Sequence, residues 1–167
     1  MRWAKIRTED IANGPGIRVS LYVQGCNRHC KNCFNPETWD FNGGQIFNKR
    51  VLFMLMEEIR KKEIVGLSIL GGEPLDQGED LLKLVKIFRK EFGDSKTIWM
   101  WTGYTYEELN DIQKEIVNNI DVLVDGPFVE SKRCPNKKFR GSSNQRIIDI
   151  AATNASGRIT LHVLHNN

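Results

Sequence analysis

Gly66-Leu67-Ser68-Ile69-Leu70-Gly71-Gly72-Glu73-Pro74 is a short, almost wholly apolar run that stops at two glycines, an acid and a proline. It reads as a buried strand ended by residues that cannot continue it. After it, Leu81, Leu84, Val85 and Phe88 form a helical stripe with Gly93 just beyond as a cap. Before it, between Asn48 and Lys62, Leu52, Leu55, Met56 and Ile59 recur at the same period, and Arg60, Lys61 and Lys62 complement the dipole at the C-terminal end. Further out, Arg18 to Val23 and Thr97 to Trp101 read as strands, Thr105-Tyr106-Glu107-Glu108 as a capping box opening a third helix, and Val122 to Val124 as another strand. Arg146 to Ile150 and Thr160 to Leu164 read as closing strands split by turn-rich Thr153 to Gly157, and polar, cationic Glu130 to Asn144 as a long loop. Three successive strand-helix-strand units predict an α/β fold with a mostly parallel sheet of about five to six strands, whose ligands collect outside the strands' carboxyl ends.

The 167 residues suit one domain spanning 1–167, and 40% hydrophobic with 27% charged residues is ordinary for a globular chain. No apolar stretch approaches the ~20 residues that cross a bilayer, so no membrane association is expected. Met1 to Thr8 alternates charged and apolar residues without the apolar core of a signal peptide, which predicts a cytoplasmic protein. A net charge of +3 is too small to imply nucleic acid binding, and none is expected.

Three of the four cysteines, Cys26, Cys30 and Cys33, fall in one short loop directly after the Arg18 to Val23 strand. In a reducing compartment such a group points to metal or redox chemistry rather than disulfides. Three thiolates from one loop converge on a compact centre, and thiolates are the usual ligands of iron-sulfur clusters and of zinc. With no fourth cysteine nearby, a 4Fe-4S cluster would keep one iron open to a substrate, as catalytic zinc keeps an open position. The alternative is a zinc-stabilised binding module with a distant ligand such as His29, His162 or Cys134.

The Cys26-x3-Cys30-x2-Cys33 loop after a first strand, with Gly71-Gly72-Glu73-Pro74 after the second, resembles the signature of the radical S-adenosylmethionine superfamily. The resemblance implies an open, partial β/α barrel. It makes Cys26, Cys30 and Cys33 the ligands of three irons and the centre of catalysis. The fourth iron would be chelated by S-adenosylmethionine, with Gly71, Gly72 and Glu73 holding its methionine amino group. Asn13-Gly14-Pro15-Gly16-Ile17-Arg18, Cys33-Phe34-Asn35-Pro36, Thr102-Gly103-Tyr104, Asp121 to Phe128 and Phe139 to Arg146 further resemble the family that activates anaerobic (class III) ribonucleotide reductase.

That likeness implies reductive cleavage of S-adenosylmethionine to a 5′-deoxyadenosyl radical, which takes hydrogen from a glycine of the reductase large subunit. A low-potential donor such as flavodoxin would supply the electron. An open iron would oxidise readily, which fits anaerobic function. Many superfamily members carry an aromatic residue before the third cysteine, where this chain has Asn32. Phe34 then becomes the candidate adenine contact, with Asn35 beside it. Thr102, Gly103, Asp125 and Gly126 end strands on the cofactor side and either line the ribose and methionine carboxylate or form turns. A small-molecule enzyme of the deazaguanine-synthase type is the rival within the superfamily.

Other residues have plainer readings. Trp99 and Trp101 share one strand face and read as core, and Arg18 lies within a strand, where a structural salt bridge stands level with any other role. Cys134 reads as a non-ligand thiol whose pKa neighbouring cations could lower. The loop carrying Lys132, Arg133, Lys137, Lys138 and Arg140 is a solvated surface or a docking patch.

Overall fold

The computed structural model describes residues 1–166. Seven strands form one sheet in the order β3-β1-β2-β4-β5-β6-β7. They are β1 (Arg2–Asp10), β2 (Ile17–Gln24), β3 (Gln45–Ile46), β4 (Ile64–Gly71), β5 (Thr97–Trp101), β6 (Val122–Asp125) and β7 (Arg146–Asp149). The central pairs β2-β4, β4-β5 and β5-β6 are parallel. The flanking pairs β1-β2, β1-β3 and β6-β7 are antiparallel.

Helices α1 (Lys49–Arg60), α2 (Glu79–Phe92) and α3 (Asp111–Val117) each connect two of the parallel strands. The order advances one strand at a time in one direction, so crossovers of one hand place all three helices on the same face. Leu55, Met56 and Ile59 of α1, Leu81, Leu82, Leu84, Val85 and Phe88 of α2, and Ile116 and Val117 of α3 pack there in one core. Val19, Leu21 and Val23 of β2, Leu67 and Ile69 of β4, and Ile98 and Met100 of β5 meet them.

Alternate residues of the same strands face the other way, because side chains switch sides with a period of two. Trp99, Val122, Val124 and Ile147 form a second apolar cluster, against which Trp101, Phe139 and Leu164 pack. Nearer β2 this face is polar. Arg18 is fully buried, and no carboxylate pairs with it among the described residues. Its guanidinium donates to Ser68 Oγ at 2.8 Å, Leu67 O at 2.9 Å, and Thr97 Oγ1 and O at 3.0 and 2.9 Å. Instead of a salt bridge, neutral acceptors on β4 and β5 hold it. Burial pushes this guanidinium down to about 10, so it stays charged near neutrality.

Several expectations need correction. The sheet has seven strands rather than five to six. The nine-residue β1 was hidden by its half-exposed, mixed pattern, and β3 is only two residues long. Thr153 to Gly157 belongs largely to a helix, α4 (Ile150–Ser156). Asp149 starts α4 by accepting from the Ala152 N–H at 2.9 Å, and Gly157 ends it in the left-handed region. Thr160 to Leu164 makes one antiparallel bridge, Leu161 to Ile148, and then turns into a 3-10 segment, Val163–Asn166. That turn brings His165 onto Arg140, whose guanidinium donates to the His165 carbonyl. The third helical region is divided: a 3-10 turn at Tyr106–Glu108 precedes α3. Glu108 accepts from the Thr105 N–H at 2.8 Å, as the capping box requires. Among the described residues no helix is long and apolar enough to cross a membrane.

Candidate cluster and cofactor site

Strands β2, β4, β5 and β6 all end on one side, and the loops leaving them surround a pocket of about 470 Å³. Cys26, Cys30, Cys33, Phe34, Asn35, Gly71, Gly72, Glu73, Thr102 and Gly103 all line it. The three cysteines, the glycine turn and Thr102-Gly103 are thus brought to one cavity.

The cysteine loop is rooted by two backbone bonds, Gly25 N–H to Thr38 O at 2.8 Å and Cys26 N–H to Trp39 O at 3.0 Å. His29 and Asn32, the residues just before Cys30 and Cys33, both adopt positive φ. Asparagine and histidine tolerate this region better than most side chains. Asn32 also donates to Glu130. An aromatic residue at 32 would carry the same backbone strain without that partner.

Cys26 is buried, which pushes its thiol upward, while the Arg28 N–H points at its sulfur from 3.4 Å. The Asn35 N–H makes the equivalent contact to Cys33 Sγ, also at 3.4 Å. Amides that donate to thiolates are a standard lever on metal-site potential. Among the described residues no three His, Cys, Asp or Glu side chains gather as ligands of a single ion. A cubane places its three thiolates on three different irons, so it requires a shared pocket rather than a shared point. Cys26, Cys30 and Cys33 all line the one pocket.

The glycine turn owes its composition to close packing. Gly71 has φ +105°, and a Cβ there would lie 2.8 Å from Tyr22 Cα. One on Gly72 would lie 2.4 Å from Gly25 O. The turn is thereby pressed against the root of the cysteine loop, with Gly72 N–H donating to Val23 O and Glu73 N–H to Gly25 O.

Glu73 is 1% exposed. Its carboxylate accepts from Thr102 Oγ1 and the Gly103 N–H, both at 2.7 Å, and from the Leu75 N–H at 3.1 Å. Burial raises this carboxyl to about 7, and the three donors hold it below where burial alone would put it. A carboxylate has about four acceptor positions, so these three leave one for a cationic ligand.

A family model described as a 4Fe-4S single cluster domain matches residues 12–148. An anaerobic ribonucleoside-triphosphate reductase-activating protein of Escherichia coli is 44% identical over 140 residues, 81% of this chain and 90% of the relative. Its Salmonella typhi counterpart is 42% identical over 149 residues, 87% of this chain and 96% of the relative. The Haemophilus influenzae protein is 36% identical over 151 residues, 88% and 97% of the respective chains. The chain belongs to this family of reductase-activating proteins.

Several pocket residues had no cofactor-site role in the sequence reading. Tyr22 and Asn13 line the pocket on the β1-β2 side, with Asn13 Nδ2 donating to Tyr22 Oη at 3.1 Å. Phe128, Phe139, Arg140, Gly141 and Gln145 make the long loop one wall of the pocket. Gln145 braces that wall, accepting from the Gly141 N–H at 2.9 Å and donating to Gly126 O at 3.0 Å. The polar alternation of Arg18, Ser20, Tyr22 and Gln24 in a buried strand was the one sequence signal for a second working face.

Phe34 is 57% exposed, stacks 5.0 Å from Phe128 and carries the Arg133 guanidinium 5.4 Å from its ring centre. Trp101 also lines the pocket and donates from Nε1 to Phe139 O at 2.9 Å, so only Trp99 of the pair is purely core. Gly126 lines the pocket, whereas Asp125 is buried in an ion pair with Arg146. Cys134 is outside the pocket lining, His162 packs edge-on against Trp99, and His29 stacks on Trp39.

Proposed function

We propose that this chain installs a glycyl radical on anaerobic ribonucleotide reductase, using a 4Fe-4S cluster on Cys26, Cys30 and Cys33 and S-adenosylmethionine on the Gly71-Gly72-Glu73 turn. When bound, the cluster held by Cys26, Cys30 and Cys33 would supply one electron to S-adenosylmethionine held at Gly71, Gly72 and Glu73, the reductive carbon-sulfur cleavage that allows one hydrogen atom to be taken from a glycine of the partner. The observation that carries the reading is the meeting of the cysteine loop, the glycine turn and Thr102-Gly103 around one pocket. The family membership supports the choice of partner.

The chain's own residues bind, orient and exclude water. Cys26, Cys30 and Cys33 would hold three irons and lose their protons on loading. Glu73, with one acceptor position open, would take the methionine ammonium while Thr102 and Gly103 hold its carboxylate still. Phe34, with Asn35 beside it, offers an aromatic face at the mouth for the adenine. Phe128 and Phe139 wall off water, which matters because a primary carbon radical must meet only its intended hydrogen. The electron comes from an external low-potential donor of the flavodoxin type, and the whole chain acts as one unit in the cytoplasm. The one-sided layer of helices, with the pocket on the opposite face, supports an open β/α barrel as the architecture.

The test is to mix the reconstituted protein anaerobically with S-adenosylmethionine, a reductant and the reductase large subunit. A glycyl radical signal in the reductase, absent with the Cys30→Ala variant, is the expected result. Turnover that proceeds fully without the reductase would move the assignment to a small-molecule enzyme.

A further inference from the structure

The cysteine loop, the glycine turn and the loop after β5 leave the sheet on three different strands, so their relative spacing must be held by contacts beyond the sheet. Glu73 ties the second to the third through Thr102 and Gly103. The cysteine loop is bonded at its root, but near its tip it has no regular structure and includes the two positive-φ residues. Its first turn, Asn27 and Arg28 directly after Cys26, is held by Asp76, Tyr104 and Glu108 from outside both signature motifs.

Asp76, three residues after Glu73, accepts from Tyr104 Oη at 2.7 Å through one carboxylate oxygen. Its other oxygen accepts from the Asn27 backbone N–H at 3.4 Å and from Asn27 Nδ2 at 3.3 Å. Next to Asn27, the Arg28 guanidinium lies 3.9 Å from the Tyr104 ring centre and 3.6 Å from Glu108. Arg28 Nε and one terminal nitrogen are buried without a hydrogen-bond partner, so stacking and charge hold this side chain in place of a bond network. Its stem lies across Gly103. A Cβ there would be 3.2 Å from Arg28 Cγ and 3.4 Å from Glu73 Oε2, so arginine and glutamate close on this glycine from two sides.

We propose that Asp76, Tyr104 and Arg28 form a latch that fixes the first turn of the cysteine loop, just after Cys26, against the turn that receives S-adenosylmethionine. They are positioning residues: they set the distance between the cluster and the methionine end of the cofactor. The inference rests on the proposed cluster and cofactor and adds which side chains keep them in register. Register matters because a misplacement of ~1 Å can cost about a hundredfold in a reaction that needs aligned partners.

The test uses Tyr104→Phe, which keeps the ring under Arg28 and removes only the hydroxyl, together with Asp76→Ala and Asp76→Asn. In the metal-free chain, hydrogen exchange across Cys26 to Cys33 is expected to quicken about tenfold in Tyr104→Phe and further in Asp76→Ala, with partial recovery in Asp76→Asn. After anaerobic loading, iron and sulfide content and melting temperature are expected to match the parent. The affinity for S-adenosylmethionine, titrated by its effect on the reduced-cluster spectrum, is expected to weaken about tenfold.

Exchange and affinity within about twofold of the parent in both Tyr104→Phe and Asp76→Ala would overturn the latch. So would a fall in melting temperature that accounts for the whole change, since the contacts would then be general scaffolding. Should Asp76→Ala fail to fold, Tyr104→Phe alone decides. A loaded parent with no spectral response to S-adenosylmethionine would refute the proposed function instead, and the metal-free exchange would still judge the latch.

Discussion

The two faces of the sheet are made from alternate residues of the same strands, yet they are built on opposite principles. On the helix side Val19, Leu21, Leu67, Ile69, Ile98 and Met100 contribute shape and apolar area to one core. On the other side Arg18, Ser68, Tyr22 and Trp101 each have named polar partners, and the pocket opens there. The first face should tolerate exchange of one hydrocarbon for another, whereas the second depends on particular donors and acceptors. Stability and chemistry are thus separated by half a strand repeat.

Substitutions on the two faces can break that comparison. The largest stability loss is expected from Phe88→Ala on the helix side, about 3–5 kcal/mol in the metal-free chain by urea unfolding. Molecules that remain folded should bind S-adenosylmethionine normally once loaded with cluster. Next comes Arg18→Met, expected to cost about 3 kcal/mol by leaving Ser68, Thr97 and the Leu67 carbonyl without their buried donor. It should also loosen the Asn13 turn, whose carbonyl accepts from Ser68 at 2.6 Å. Equal tolerance of Arg18→Met and a conservative helix-side change would erase the distinction between the faces.

Glu73→Gln should do the reverse of Phe88→Ala, with little loss of stability but at least about tenfold weaker S-adenosylmethionine binding. Its pH dependence sharpens the point. Burial raises the folded-state carboxyl from the ordinary 4.5 to about 7. This group therefore favours the ligand-free fold most below 4.5, and that contribution is lost as pH rises through about 7. A cationic ligand favours the carboxylate, so affinity should fall about tenfold per unit as pH drops below about 7. Titration by calorimetry should record the slope in the parent and a flat line in Glu73→Gln. The smallest effect is expected from Ile69→Val, about 1 kcal/mol with an unchanged site.

The repeating frame was legible because each unit carries its own local signal, a run such as Gly66 to Leu70 or a stripe such as Leu81 to Phe88. The cysteine loop and the Gly-Gly-Glu turn were legible for the same reason. Less accessible were elements defined by pairing. Strand β1 is half exposed and β3 has two residues, so neither has a pattern until β2 is in place. Helix α4 was obscured by Thr153, Asn154 and Ser156, residues that favour turns when no cap fixes the start.

The latch residues and the Phe128 to Gln145 wall lay beyond sequence reading for a different reason. Asp76 and Tyr104 are 28 positions apart, and Asn27 is 49 from Asp76. The segments of Asn27 and Tyr104 were marked by resemblance, but nothing local gives their contacts, and the sheet order brings these loops together.

The most direct test of the central claim is anaerobic reconstitution with iron and sulfide, followed by S-adenosylmethionine and a strong reductant, with 5′-deoxyadenosine measured beside the Cys30→Ala variant. The account expects acid-labile sulfide bound to the parent and product formed only with the intact cysteine loop. Zinc bound without sulfide, or product that persists in Cys30→Ala, would contradict it.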